Sequence, residues 1–261
     1  MSHRNQVICA VLGVSLLLAA CGGATSPGSA SATPSPTLSG SVTVFAAASL
    51  TEAFTDDKTR LTAANPGLTV TYSFAGSQQL VAQVEAGAPA DVVATADEAN
   101  MQKLVAANLV EAPKDFARNL LAIVVSPGNP RGVKGLSDLA RSDLKVVLED
   151  PSVPAGKYGR QALDKAGVKV TPVSLELDVK TELQKVEAGE ADAGIVYVTD
   201  VKSAGTRATG VVIPADQNVV ASYPVAVVKA TADHALAQAF VDQLISGTGQ
   251  DALQARGFLA P

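Results

Sequence analysis

Residues 42–52, V-T-V-F-A-A-A-S-L-T-E, restrict the possible fold more than any other stretch of this chain. The β-forming residues Val42, Val44 and Phe45 predict a buried strand, and the alanines after them allow a tight turn. Ser49 and Glu52 have the spacing of a capping box, which predicts that a helix begins at Ser49. A strand leading into a helix directs the unpaired N–H groups of the first helical turn towards one place. That place favours an anion, although most isolated motifs of this kind only cap their own helix.

The same arrangement occurs again further along the chain. Residues 68–74 alternate apolar and polar side chains as a strand does, and Ala75-Gly76-Ser77 then opens a second helix. Two more predicted helices begin at Ala155-Gly156 and at Asp178-Val179. Ligands of α/β sheets bind at the carboxyl ends of strands, beside the starts of helices. Four such helix starts predict an anion site.

Short strands alternate with helices along the whole chain, which is typical of an α/β fold with mostly parallel sheets covered by helices on both faces. We expect two lobes with the ligand in the cleft between them. The first lobe would contain residues 41–120 and 224–261, and the second residues 121–223. The chain would cross between the lobes near residues 119–121 and 221–224.

The first forty residues predict export rather than folding. Residues 1–20 have a charged start, a short apolar run and small residues at the end, as in a signal peptide. Leu18-Ala19-Ala20-Cys21 is similar to the lipobox of bacterial lipoproteins, which predicts a lipidated Cys21 at the outer face of the cell membrane. Residues 21–40 consist almost entirely of Gly, Ser, Ala, Thr and Pro and predict a flexible tether.

The composition argues against several classes of function. A net charge of −5 and a pI near 5.1 disfavour nucleic acid as a partner. There is no G-x-S-x-G nucleophile elbow, phosphate loop, dinucleotide fingerprint or metal-ligand spacing. The mature chain would keep a single histidine, His234, and no cysteine besides Cys21. We therefore expect neither an enzyme nor a cofactor, with a secreted hydrolase using Ser49 or Ser77 as the alternative from another class.

Six motifs occur in the order typical of one family, and they are T-V-F-A-A-A-S-L, S-F-A-G-S, E-A-G-A-P-A-D-V, D-P-S-V-P-A-G, G-I-V-Y and Y-P-V-A-V-V. Through them, residues 42–258 resemble the substrate-binding components of bacterial molybdate ABC importers. The resemblance implies the two-lobed type II periplasmic-binding-protein fold, with an oxyanion held between the lobes.

The resemblance also implies which residues bind the oxyanion. Two serine hydroxyls, two backbone N–H groups and a tyrosine hydroxyl would hold it, namely Ser49, Ser77, Ala155, Val179 and Tyr197. None of these groups is charged, so helix dipoles and hydrogen bonds would stabilise the dianion. No metal site is expected apart from the molybdenum of the oxyanion itself.

The expected function is that of a monomeric, lipid-anchored receptor that delivers molybdate, and also tungstate, to a membrane permease. The main alternative is a receptor of the same fold for sulfate, phosphate or a small organic anion. Ferric iron is disfavoured because the four tyrosines include no adjacent pair.

Overall fold

The computed structural model describes residues 37–261. The predicted signal peptide, Cys21 and most of the predicted tether lie outside the described residues. The last residues of that tether belong to the fold, because Leu38 N–H donates to Asn65 Oδ1 at 2.8 Å and Gly40 pairs with Leu68 in the first strand. The fold therefore begins before residue 41.

Residues 37–261 contain nine strands and eight α-helices. The strands are β1 (Gly40–Ala47), β2 (Leu68–Ala75), β3 (Val92–Ala94), β4 (Lys114–Val125), β5 (Val147–Glu149), β6 (Ser174–Glu176), β7 (Ala193–Tyr197), β8 (Thr209–Val212) and β9 (Val220–Val227). The helices are α1 (Thr51–Ala64), α2 (Ser77–Glu85), α3 (Glu98–Ala106), α4 (Pro154–Lys165), α5 (Val179–Glu187), α6 (Val198–Ala204), α7 (His234–Ser246) and α8 (Thr248–Arg256).

Strand β1 pairs in parallel with β2 on one side and with β3 on the other. Parallel neighbours need a crossover between them, and α1 and α2 provide the two crossovers. Both faces of β1 are buried, with Val42 and Val44 in one hydrophobic cluster and Phe45 in another. This burial explains why the strand is a nearly continuous run of apolar residues.

Strands β4 and β9 connect the two parts of the main sheet, whose order is β2-β1-β3-β9-β4-β7 with β8 also paired to β4. Over Lys114–Leu120, β4 pairs with β9, and from Leu121 to Val125 it pairs with β7 and β8. All these pairs, and β3 with β9, are antiparallel. The parallel strand pairs are β1–β2, β1–β3 and β5–β6, and one isolated parallel bridge joins Val146 to Ala193. The pairing of β4 with β9 is antiparallel because β4 runs from the first part of the sheet to the second and β9 runs back in the opposite direction.

The C-terminal helices pack against the first part of the sheet. Phe240 of α7 joins a group of tilted and edge-on aromatic rings that includes Phe54, Tyr72 and Phe116. Arg256 of α8 makes two hydrogen bonds to the Asp56 carboxylate on α1, at 2.6 and 2.8 Å. These bonds join the C-terminal helix α8 to α1.

None of the helices within residues 37–261 is long and apolar enough to cross a membrane.

Candidate anion-binding cleft

One cleft brings together all five residues expected to bind an anion. Its lining consists of Ala47, Ala48, Ser49, Gly76, Ser77, Ala96, Glu149, Val153, Pro154, Ala155, Asp178, Val179 and Tyr197. The starts of α2, α4 and α5 and the turn that precedes α1 all contribute to this lining, so the four predicted segments meet at one cleft.

Ser49 lies in a single 3₁₀ turn between β1 and α1, and its hydroxyl does not cap the helix. The predicted capping box is wrong: α1 begins at Thr51, and Ser49 Oγ is hydrogen-bonded to Tyr223 Oη at 3.0 Å. Glu52 instead accepts a hydrogen bond from Lys180 Nζ at 2.7 Å. Tertiary partners thus replace the local bonds that the sequence suggests, and they leave Ser49 at the cleft wall.

Ser77 is the first residue of α2 and is buried, with Gly76 as the N-cap. Its Oγ accepts a hydrogen bond from Ala96 N–H at 3.0 Å. Because this bond uses an oxygen lone pair, the hydroxyl proton is free to be donated to a ligand.

Ala155 is the second residue of α4, which begins at Pro154, one residue before the predicted start at Ala155-Gly156. Proline is favoured at this first position because its missing N–H would have no partner inside the helix. A side chain on Gly156 would place a Cβ 2.2 Å from the carbonyl oxygen of Asp150, so only glycine allows this close approach of helix and strand end. The N–H of Ala155 is consequently held at the cleft wall.

Val179 is the first residue of α5, and its N–H has no carbonyl in the preceding turn to bond. Asp178 caps the helix by accepting from Thr181 N–H and from Thr181 Oγ1, both at 2.9 Å. The predicted N-cap is therefore correct. Because the cap bonds Thr181, the N–H of Val179 stays available to a ligand.

Tyr197 ends β7 and is almost completely buried. Its hydroxyl has no hydrogen-bond partner among the described residues. Burial, and then the neighbouring Tyr223, raise the pKa of Tyr197 well above its ordinary value. The hydroxyl is therefore neutral and can donate one hydrogen bond to a ligand, which would satisfy an otherwise unpaired buried group.

Two residues of the site were not found from the sequence. Tyr223 comes from β9, and no local pattern connects it to Ser49, which is 174 positions away. Glu149 is buried in the lining of the cleft and accepts a hydrogen bond from Gly156 N–H at 3.1 Å. The position of Glu149 in the sequence could have indicated a cleft residue, because Glu149 ends a strand directly before the D-P-S-V-P-A-G motif.

Several contacts join the two sides of the cleft, and one of them is the ion pair between Lys157 Nζ of α4 and Asp97 at 3.6 Å. Lys180 of α5 bonds Glu52 of α1 at 2.7 Å, and Gln78 Nε2 donates to Leu177 O at 2.9 Å. At Gly76 an added Cβ would lie 2.3 Å from the same Leu177 oxygen. The two sides therefore touch at the cleft edge.

The cleft offers hydrogen-bond donors without a free cation in its lining. Lys180, which follows the lining residue Val179, is bonded to Glu52 and also to the buried Asp200 at 2.8 Å. Burial is the largest single effect and lowers the pKa of Lys180, but the charges and hydrogen bonds of Asp200 and Glu52 together raise the pKa above its ordinary value, so this lysine stays charged and paired. Neutral donors avoid the cost of burying a countercharge, which can exceed the electrostatic gain. The arrangement suits a fully deprotonated anion that must later be released.

The sequence model of one family, described as bacterial extracellular solute-binding protein, matches residues 42–259. This chain belongs to that family. It is therefore a solute-binding protein and not an enzyme, and the alternative of a secreted hydrolase does not fit this family.

Individual relatives of this solute-binding protein support the assignment. A Mycobacterium tuberculosis protein named molybdate-binding protein ModA is 43% identical over 245 residues, which cover 94% of this chain and 93% of the relative. ModA of Escherichia coli is 33% identical over 234 residues, which cover 84% of this chain and 89% of the relative.

Two solved structures share the type II periplasmic-binding-protein fold with this solute-binding protein. The periplasmic molybdate-binding protein of Azotobacter vinelandii has a TM-score of 0.72 at 21% identity, covering 84% of this chain and 99% of its own. The sulfate-binding protein SubI of M. tuberculosis also has a TM-score of 0.72, at 22% identity, covering 84% and 86%. At these identities, the two structures show a shared fold and nothing further. They confirm the two-lobed α/β architecture predicted from the sequence.

Proposed function

We propose that this solute-binding protein captures molybdate in the cleft and delivers it to the membrane permease of an ABC importer. The observation that carries the proposal is the ring of neutral donors around the cleft, in a chain whose relatives are named molybdate-binding proteins. The ring comprises the hydroxyls of Ser49, Ser77 and Tyr197 and the N–H groups of Ala155 and Val179.

Each donor has a physical reason to face an anion. The N–H groups of Ala155 and Val179 lie at helix N-termini, where the helix dipole favours negative charge. The Tyr197 hydroxyl is buried and otherwise unpaired, and Ser77 has a proton to donate. A hydrogen bond to a charged group contributes about 1.5–3 kcal/mol, so five such bonds can hold a dianion without a cation.

Calorimetric titration of the purified protein with molybdate, tungstate, sulfate and phosphate tests the proposal. We expect molybdate and tungstate to bind alike because they have nearly the same size and no proton near neutral pH. Sulfate is a smaller dianion, so donors spaced for molybdate would leave some of its hydrogen bonds long. Phosphate still carries a proton that needs an acceptor, and leaving it unpaired costs about 1–3 kcal/mol. Sulfate or phosphate binding as tightly as molybdate would contradict the assignment.

Sulfate is the second candidate. A sulfate-binding protein shares the fold with a TM-score of 0.72, and a Synechocystis sulfate-binding protein is 28% identical over 223 residues. Both are less similar in sequence to this chain than the ModA proteins of M. tuberculosis and E. coli, which are 43% and 33% identical. The same titration distinguishes the two candidates.

We further propose that the protein is a monomer with two lobes, residues 41–120 with 224–261 and residues 121–223. The change of partner in β4 between Leu120 and Leu121 supports this division. It would be anchored to the outer face of the membrane through a lipid on Cys21, as the L-A-A-C motif suggests. Mass spectrometry of the native protein should find a lipidated Cys21 at the mature N-terminus, and Cys21→Ser should release the protein from the membrane fraction.

A further inference from the structure

Glu149 is a buried carboxyl group that forms part of the cleft wall. Glu149 is the last residue of β5 and is only 1% exposed. Glu149 Oε2 accepts from Gly156 N–H at 3.1 Å, which places the carboxyl beside the start of α4 and the N–H of Ala155. Glu149 Oε1 has no hydrogen-bond partner among the described residues. One oxygen of a carboxyl group is thus unpaired in the place where an anion would bind.

The groups that face Glu149 do not neutralise it. Asp178 and Glu182 face it from α5, Asp200 from α6, and the neutral Tyr197 hydroxyl from β7. The ammonium of Lys180 is bonded to Asp200 and Glu52, and no ion pair within residues 37–261 includes Glu149.

Burial, and then the charge of Asp200, raise the pKa of Glu149 well above its ordinary value. The N–H groups of Gly156 and Ala155 lower the pKa by less. The acid form of Glu149 is therefore favoured before any ligand is present.

An oxyanion in the cleft makes the acid form more favourable still. A carboxylate at the wall would repel a dianion, whereas a carboxylic acid has an O–H that can donate to it. The same O–H would satisfy the unpaired oxygen. We propose that Glu149 binds the anion as a carboxylic acid, so that filling the cleft is coupled to protonation of this side chain. This inference rests on the proposed function of the cleft.

The proton balance is simple because no covalent bond to the anion forms or breaks. Above the pKa of Glu149 in the empty protein, binding takes one proton from solvent, and release of the anion returns it. Affinity should then fall as pH rises, by at most tenfold per pH unit for one proton. Below that pKa, affinity should not depend on this group.

Glu149→Gln is the test variant, and Glu176→Gln is its matched control. The glutamine amide can donate to an anion as the acid does, but it cannot titrate. Glu176 is buried too and pairs with Glu149 in the register of β5 and β6, but it is neutralised by Lys185. Each protein would be titrated with sodium molybdate by calorimetry between about pH 6 and pH 9, in buffers of different ionisation enthalpy that report the protons taken up.

We expect wild type and Glu176→Gln to lose affinity as pH rises, with proton uptake that increases towards one per molybdate. Glu149→Gln should bind with constant affinity and no uptake, and more tightly than wild type at the highest pH. Tight binding by wild type without uptake at any pH would overturn this inference and leave the proposed function standing. Identical uptake by wild type and Glu149→Gln would also overturn it. A protein that binds none of the oxyanions would overturn both.

Discussion

Each serine hydroxyl of the cleft is held by a partner from a different strand or loop. Ser77 Oγ accepts from the backbone at Ala96, and Ser49 Oγ is bonded to the buried hydroxyl of Tyr223. A hydroxyl has one proton and two lone pairs. When Tyr223 donates to Ser49, the Ser49 proton is left for the anion, so Tyr223 orients Ser49 without lining the cleft itself.

Tyr223→Phe should therefore weaken molybdate binding through Ser49. We expect a loss of about 0.5–1.5 kcal/mol, the net contribution of one hydrogen bond between neutral groups. Ser49→Ala should cost more, about 1.5–3 kcal/mol, because it removes a bond to a charged ligand. Calorimetry of both single variants and the double variant checks this expectation.

The double variant separates orientation from simple packing. If Tyr223 acts only through Ser49, Tyr223→Phe should have no further effect on affinity in a Ser49→Ala background. Fully additive losses would mean that Tyr223 influences the anion in another way.

At the scale of elements, the start of α4 is held against the end of β5 by a close backbone contact. The α4 sequence contains two glycines, Gly156 and Gly159, with different surroundings. A Cβ on Gly156 would lie 2.2 Å from a carbonyl oxygen, whereas a Cβ on Gly159 would lie 3.5 Å from the nearest atom, Ile195 Cγ2. Only the first glycine is required for the helix to reach the cleft.

Gly156→Ala should move the start of α4 and lower both stability and molybdate affinity. Gly159→Ala is the matched control, since alanine is favoured over glycine inside a helix by about 1 kcal/mol and the site has room for it. Urea denaturation and calorimetry should show a loss in both quantities for the first variant and none for the second. Equal stability of the two variants would contradict the close contact at Gly156.

At the scale of the whole molecule, a few polar contacts hold the two sides of the cleft together. Two ion pairs are among them, Asp97–Lys157 and Glu52–Lys180, and the side chains of the second pair are 33% and 18% exposed. Lys180 also neutralises the buried Asp200, so Glu52 is the partner whose loss affects only the closure. Two parts joined by two strands can open and close as hinged bodies.

Glu52→Gln should weaken closure and reduce molybdate affinity, by about 0.2–1 kcal/mol for a partly exposed pair. Small-angle scattering should give a larger radius of gyration without molybdate than with it, and the variant should need more molybdate to become compact. Glu187→Gln breaks a pair with Arg207 that does not cross the cleft, and it should change neither quantity. A radius that molybdate does not change would contradict the hinge.

The buried carboxyl groups also affect the stability of the molecule. Burial is the main cause that raises the pKa of Glu182 well above its ordinary value. The folded protein therefore binds this proton more readily than the unfolded chain. Its contribution to the free energy of unfolding is lost as pH rises from the unfolded pKa of about 4.3 through the raised folded pKa.

Glu182→Gln should keep the hydrogen bond that Ile195 N–H donates at 2.6 Å, because a glutamine side-chain oxygen is also an acceptor. The variant removes the titratable carboxyl group. The variant should gain stability relative to wild type at about pH 8, and the gain should shrink towards about pH 5. Urea denaturation across this range measures the effect, with the exposed Glu190→Gln as a control that should follow wild type. A constant difference from wild type at every pH would contradict this assignment.

The sequence by itself determined the class of fold and the places where helices begin near the cleft. Short apolar strands that alternate with helices predict an α/β fold. In such a fold helices cover both faces of the sheet, so its strands are continuous runs of apolar residues. The starts of α2 and α5 and the cap at Asp178 could be predicted because helix starts depend on nearby residues. The five expected donors came from motifs resembling a known family, and the structure places all five at one cleft.

Only the tertiary structure decided the hydrogen bonds and charges behind those donors. Ser49 and Glu52 have the spacing of a local cap, yet their bonds go to Tyr223 and Lys180, which are distant in sequence. Glu149 is a cleft residue because neighbouring elements bury it without a cation, and burial depends on the packing of the whole chain. Local sequence determines which elements can form, whereas the pKa and partner of a buried side chain depend on residues that the fold brings together.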